Sequence, residues 1–156
     1  MRKFLLLLVA ALGLAVLPAT AASAGSTLVY YEKVGADDVV FVPACTPGPQ
    51  NPTCDPRGPG SWFASTGDLS RTQGGAKIGT VSVFCLTTRK VGADYYGHCT
   101  EVLYTPEGIF EAKGEINETG LERFEPQWLP LVKPGRGTLK VQQIVYPDEF
   151  RLTITR

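Results

Sequence analysis

GTLKVQQIVYPDEFRLTITR, residues 137–156, closes the chain in two alternating runs. Leu139, Val141 and Val145 fall on one face of an extended strand, and Phe150, Leu152 and Ile154 alternate in the same way. A period of two over six to eight residues is the signature of a strand with one buried face. Gln143 breaks the apolar series, since it occupies a slot where a plain core would hold another aliphatic side chain. Its amide either satisfies a backbone group at a bulge or orients a polar group of something held inside. A buried amide left unpaired costs about 1–3 kcal/mol, so it must have a partner.

The same alternation extends upstream. Strands are expected near 27–34, 38–42, 61–66, 78–88, 95–105, 108–117, 137–146 and 149–156, with no window of helical apolar period among them. Seventeen Gly and twelve Pro punctuate the runs. Eight short antiparallel strands in one small domain suit an all-β, closed, lipocalin-like barrel, because closure removes exposed strand edges. From Glu118 to Gly135 the pattern weakens. LERFEPQWLPLVKPG carries three prolines and Trp128, and reads as a long connection with an irregular strand packed on the body.

The beginning is of another kind. Met1-Arg2-Lys3 is a basic head, Phe4 to Leu17 is almost wholly apolar, and AASAG supplies a small-residue cleavage site near Ala24. That run is too short to span a bilayer and reads as a signal peptide. Residues 1–24 are therefore expected to be removed, leaving one domain, 25–156, that is secreted and not membrane-bound. Loss of Arg2 and Lys3 tips a formally neutral chain slightly acidic. No basic block or stripe exists to attract nucleic acid or an anionic surface.

Four cysteines in an exported chain point to two disulfides. VSVFCLTT and GHCTEVLY flank a loop centred near Gly92, with Cys85 and Cys99 each seven residues from it, so the two should face each other across a hairpin. Cys45 and Cys54 bracket the Pro-rich PGPQNPT, where a bridge would tether a loop with few ladder donors. The favoured pairing is 45–54 with 85–99. His98 is the only histidine and has no metal-spaced companion, so no metal is expected. No serine elbow or phosphate-binding glycine loop occurs, and no cofactor is implied.

The ending GTLKVQQIVYP, with EGIFEAKGEI (107–116), KIGTVSVFC (77–85), GSWFASTGDL before it and STLVYYEKV (26–34) at the start, resembles the allene oxide cyclase barrel family and its secreted, dirigent-like relatives. The resemblance implies an eight-stranded barrel with an apolar cavity that folds a flexible substrate toward one ring closure. Glu32 matches the family's inward glutamate, and Cys85 matches a cysteine lining the cavity. Val34 and Gly67 stand where the plant enzymes have asparagines, Ile116 stands where they have tyrosine, and PLVKPGRG replaces a Gly-Gly turn. Family enzymes often associate, so a homo-oligomer is also implied.

Residue by residue, Leu28, Tyr30 and Glu32 alternate, which points Glu32 inward, where lost hydration would raise its pKa and make it an acid near neutrality. Tyr30, Phe110 and Ile116 are candidates to line a site for a small hydrophobic molecule, with Cys85 and Gln143 beside them. Glu101 has two registers. A two-residue TPEG loop turns it inward beside Phe110 and Ala112, whereas a bulge at Gly108 pairs it with Lys113 outside and turns Cys85 and Cys99 outward. The charged series Glu111, Lys113, Glu115 favours the external pair. Three functions remain in view: a barrel that isomerises or cyclises its ligand, a carrier, and a filled barrel whose 43–60 loop binds another protein.

Overall fold

The computed structural model describes residues 25–117 and 125–156. The expected leader, 1–24, and the 118–124 part of the weak stretch lie outside the described residues. Eight strands follow in order: β1 (Thr27–Val42), β2 (Trp62–Ser70), β3 (Gly79–Val91), β4 (Asp94–Thr105), β5 (Gly108–Asn117), β6 (Gln127–Lys133), β7 (Thr138–Val145) and β8 (Glu149–Thr155). Each pairs antiparallel with the next, and β1 returns to β8 from Thr27↔Thr155 to Lys33↔Glu149, so the sheet is a closed barrel.

The closing stretch forms the β7–β8 hairpin. Leu139 faces Ile154, Val141 faces Leu152 and Gln143 faces Phe150. Leu139, Leu152 and Ile154 are fully buried. The ladder slips between Gln143 and Val145, and the extra residue turns Val145 outward, 43 % exposed. The inward Val145 of the simple alternation is thus lost to a bulge, which resets which face each later side chain takes.

Eight strands are present, but their membership differs from the sequence expectation. Segments 27–34 and 38–42 belong to one strand, β1, whose register against β2 shifts between Val34 and Val39. The missing strand is β6, inside the weak stretch. Leu129 and Leu131 point into the barrel while Trp128, Pro130 and Val132 point out. Proline at an outward position removes a ladder donor, and the described β5–β6 pairing is correspondingly irregular, Glu111↔Lys133 then Ala112↔Leu131.

Two hairpins set the interior. Gly92 takes φ +62° in a turn closed by Val91↔Asp94. Continued unbroken, that register would oppose Cys85 to Thr100. A slip between Thr87 and Arg89 restores Cys85↔Cys99, and the two are bridged with Cα atoms 4.1 Å apart, near the narrower of the two antiparallel spacings. In the next hairpin Thr105 pairs with Gly108, so the loop is two residues long and Glu101 faces Ala112. Both are buried. The external Glu101–Lys113 pair therefore does not form; Lys113 instead meets Glu111 on its own strand at 2.7 Å.

Side chains fill one end of the barrel. Tyr30, Leu69, Val81, Leu103, Phe110 and Leu152 are at most 1 % exposed. Each large apolar side chain so buried contributes about 1.5–3 kcal/mol. The Tyr30 hydroxyl donates to Glu107, which also pairs with Arg71, and the Arg71 guanidinium lies 4.8 Å from the Tyr30 ring centre. Arg156 covers Phe110 at 5.2 Å. This end is a solid floor.

Candidate functional site

At the opposite end the same strands run on without enough side chains to fill the space. A cavity of about 400 Å³ opens there between the far ends of β1, β3, β5 and β7 and the near ends of β2 and β8. Its walls are mostly apolar, with Val83, Ile116, Val141, Phe63 and Phe150 inside and Val39, Phe41 and Tyr146 at the mouth. The β1–β2 connection forms one side of the mouth. Its Cys45–Cys54 bridge holds the loop, and Asp55 anchors it by accepting from Lys90 Nζ (2.7 Å), the Tyr95 hydroxyl (3.0 Å) and the Arg57 amide (3.1 Å). The bond from Lys90, foremost, holds the Asp55 carboxyl below the usual carboxylate range. The loop ends at buried Ser61, whose hydroxyl donates to Thr87 Oγ1 at 3.0 Å, and both residues line the cavity.

Two carboxyls lie in this apolar space. Glu32 on β1 is 4 % exposed and Glu101 on β4 is 6 % exposed, and both line the cavity. Burial pushes the Glu32 pKa up to about 7. Burial, and then the nearby Glu32 charge, push Glu101 up to about 8. Among the described residues Glu101 Oε2 has no hydrogen-bond partner. Gly67 on β2 makes room for the first of them. A Cβ there would stand 2.7 Å from both Glu32 Cγ and Oε1, so only glycine lets the glutamate lie where it does. Such carboxyls can donate or accept a proton near neutral pH, which ordinary surface carboxylates do not.

The other sequence candidates separate into two groups. Cys85 and Ile116 line the cavity, but Cys85 does so as half of a disulfide and offers no thiol. Gln143 also lines it, and its Nε2 donates to the Pro147 carbonyl at 3.3 Å across the bulged turn. Tyr30 and Phe110 are packed in the floor and do not border the cavity. His98 sits opposite Leu86 and Glu115, facing away from the interior. Sequence reasoning did not single out Ser61, Thr87 or Arg57 as lining residues. The first two come from a loop end meeting a bulged strand, and no local pattern announces that meeting.

No family model matches the chain, and no curated protein matches its sequence. Solved structures do resemble it. Pyocyanin demethylase superposes with a TM-score of 0.63 at 17 % identity, over 84 % of this chain and 100 % of that one. A nonspecific heme-binding cyclase that catalyses a 4 + 2 cycloaddition in neoabyssomicin biosynthesis gives 0.60 at 20 % identity, over 83 % and 63 %. The Diels-Alderase AbmU from Streptomyces koyangensis gives 0.60 at 19 % identity, over 83 % and 62 %. This chain spans less than two thirds of each of the latter two. At such identities the likeness is one of fold, a closed barrel that other proteins use for cyclisation.

Proposed function

We propose that the protein is an exported barrel that encloses a small apolar molecule and closes a ring in it, with Glu32 as the polarising acid. The observation that carries this reading is a cavity of about 400 Å³, apolar but for a few groups, holding two buried carboxyls. Small-molecule sites commonly have 300–1,000 Å³ and a few convergent polar groups. Ring closure is an isomerisation: one σ bond forms as a π bond or a strained C–O bond is consumed, and no second reactant enters. Confinement supplies the orientation. A protonated Glu32 donates to a carbonyl or epoxide oxygen as charge builds there, and Gln143, held by Pro147, fixes one more polar contact at the rim.

Descent from an allene-oxide-cyclase-like ancestor belongs to the same proposal and is supported by Glu32 and Cys85 both bordering the cavity. With Val34, Gly67 and Ile116 in place of the plant polar groups, the plant reaction itself is not what we assign. Export is supported by the leader-like residues 1–24 and by two disulfides, which persist in oxidising compartments.

The neutral dye prodan and the acid-sensitive aldehyde citronellal test this reading. Prodan fluorescence should saturate at one dye per barrel. Citronellal should close to isopulegol faster than in buffer, and Glu32→Gln should remove about 10²–10⁴-fold of that enhancement while prodan still binds. Prodan binding without any enhancement would make the barrel a carrier, and no saturable binding would remove the cavity itself from consideration.

A further inference from the structure

The two acids are more than ring-closure chemistry requires. One polarising group suffices to activate an oxygen, yet the cavity buries a second carboxyl whose Oε2 meets no donor among the described residues. Among the described residues no ion pair reaches that group. Arg57 carries the only positive charge among the described lining residues, and its guanidinium is stacked 4.8 Å from the Tyr95 ring. Neither buried glutamate owes any part of its shifted acidity to a neighbouring cation. The rest of the lining includes Phe41, Phe63, Phe150 and Tyr146, rings whose faces carry partial negative charge.

We infer that the ligand of this cavity is an apolar amine, whose ammonium group pairs with Glu101 while its hydrocarbon body lies against the aromatic walls. The inference rests on the cavity reading above and deepens it by naming the ligand class. Three physical terms favour it. An ammonium bound beside Glu101 favours loss of the Glu101 proton to solvent, and its N–H groups then supply the donors that the carboxylate Oε2 lacks. Two buried acids, neither ion-paired among the described residues, draw positive charge inward as they ionise, and Coulomb attraction is strengthened where water is excluded. Aromatic faces add cation–π attraction. A simple aliphatic amine, with basicity like that of lysine near 10.4, remains protonated beside carboxyls titrating at about 7 and 8. A fatty acid carboxylate meets the opposite situation and is repelled. Pairing at Glu101 also divides the labour: Glu101 anchors the head group and Glu32 is left for the reacting end.

Competition against prodan at pH 7.5 with three ligands of equal chain length, n-decylamine, n-decanol and n-decanoate, reads this directly. Decylamine should displace the dye about tenfold more tightly than decanol, and decanoate more weakly than decanol. In Glu101→Gln the amine-to-alcohol ratio should fall to near one. Lowering the pH to 5.5 should shrink the wild-type ratio as well. Among the described residues the titratable groups bordering the cavity are Glu32, Glu101, Arg57 and Tyr146, and the two acids gain protons in that interval. Amine and alcohol competing equally in the wild type, or a ratio unchanged by Glu101→Gln, would overturn the inference and leave the apolar cavity standing. Failure of prodan to bind at all would instead overturn the cavity reading and this inference with it.

Discussion

The two ends of the barrel are built from the same eight strands and behave as different materials. In the floor, Tyr30, Phe110, Leu103 and Leu152 fill the interior, the polar tips of Tyr30, Glu107 and Arg71 meet one another, and little is exposed. At the mouth, inward slots hold Ser61, Thr87, Val83 and Gly67, which are too small to meet in the middle, and the carboxyls of Glu32 and Glu101 take the place of hydrocarbon. The contrast teaches that dense packing and the open cavity are separated along the barrel axis. The floor holds the sheet closed, and the mouth can then keep two buried acids that cost stability.

The largest expected effect is on the floor. Phe110→Ala should destabilise the fold by about 3–5 kcal/mol and Leu152→Ala by about 2–5 kcal/mol, through lost transfer energy and a cavity. Phe63→Ala at the mouth should cost much less in urea denaturation and yet weaken prodan binding, and equal costs at both ends would erase the distinction. Next comes the Cys85–Cys99 bridge, which closes a loop of sequence separation 14. Replacing both cysteines by alanine should cost about 3 kcal/mol, the value for a loop of about 15 residues.

Acidity separates the ends in another way. Glu32 and Glu101 hold their protons in the folded barrel to about pH 7 and 8, whereas in the unfolded chain they release them near 4.5. Between those values the folded state binds more protons, so stability from these groups is full below about pH 4.5 and declines as pH rises to about 8. Urea midpoints measured from pH 5 to 9 should fall accordingly, and Glu101→Gln should flatten the decline; a profile that rises with pH would contradict the burial of both acids.

Smaller effects sharpen the boundary. Gly67→Ala should displace the Glu32 carboxyl, lowering citronellal turnover more than it lowers thermal stability, because the clash is with a side chain and not with the backbone. Arg71→Ala should change stability by only about 0–1 kcal/mol, as expected of a pair with both members partly exposed, and should leave prodan binding as it was.

Much of the floor was legible in the sequence, because close alternation of Leu139, Leu152 and Ile154 with their neighbours specifies both strand and face. The Cys85–Cys99 pairing was legible as well, although the symmetry about Gly92 works only because a slip beyond Thr87 compensates the two-residue turn. Departures from plain alternation were not legible. Val145 turns outward at a bulge, Pro130 conceals the period of β6, and the lumenal Glu101 depends on a one-residue choice of loop length at Pro106-Glu107. A shift of one residue reverses every side chain after it, so the second acid of the site lay beyond what local pattern can decide.

Carboxyl carbon NMR of protein labelled at glutamate Cδ, followed from pH 3 to 10, tests the hollow, acid-bearing mouth most directly. Two resonances, removed respectively by Glu32→Gln and Glu101→Gln, should titrate near 7 and 8, well above those of Glu115 and Glu149, whose hydrogen bonds to Arg89 and Gln73 hold them below the usual carboxylate range. If instead both titrate near 4.5, they face water and the mouth holds no buried acids.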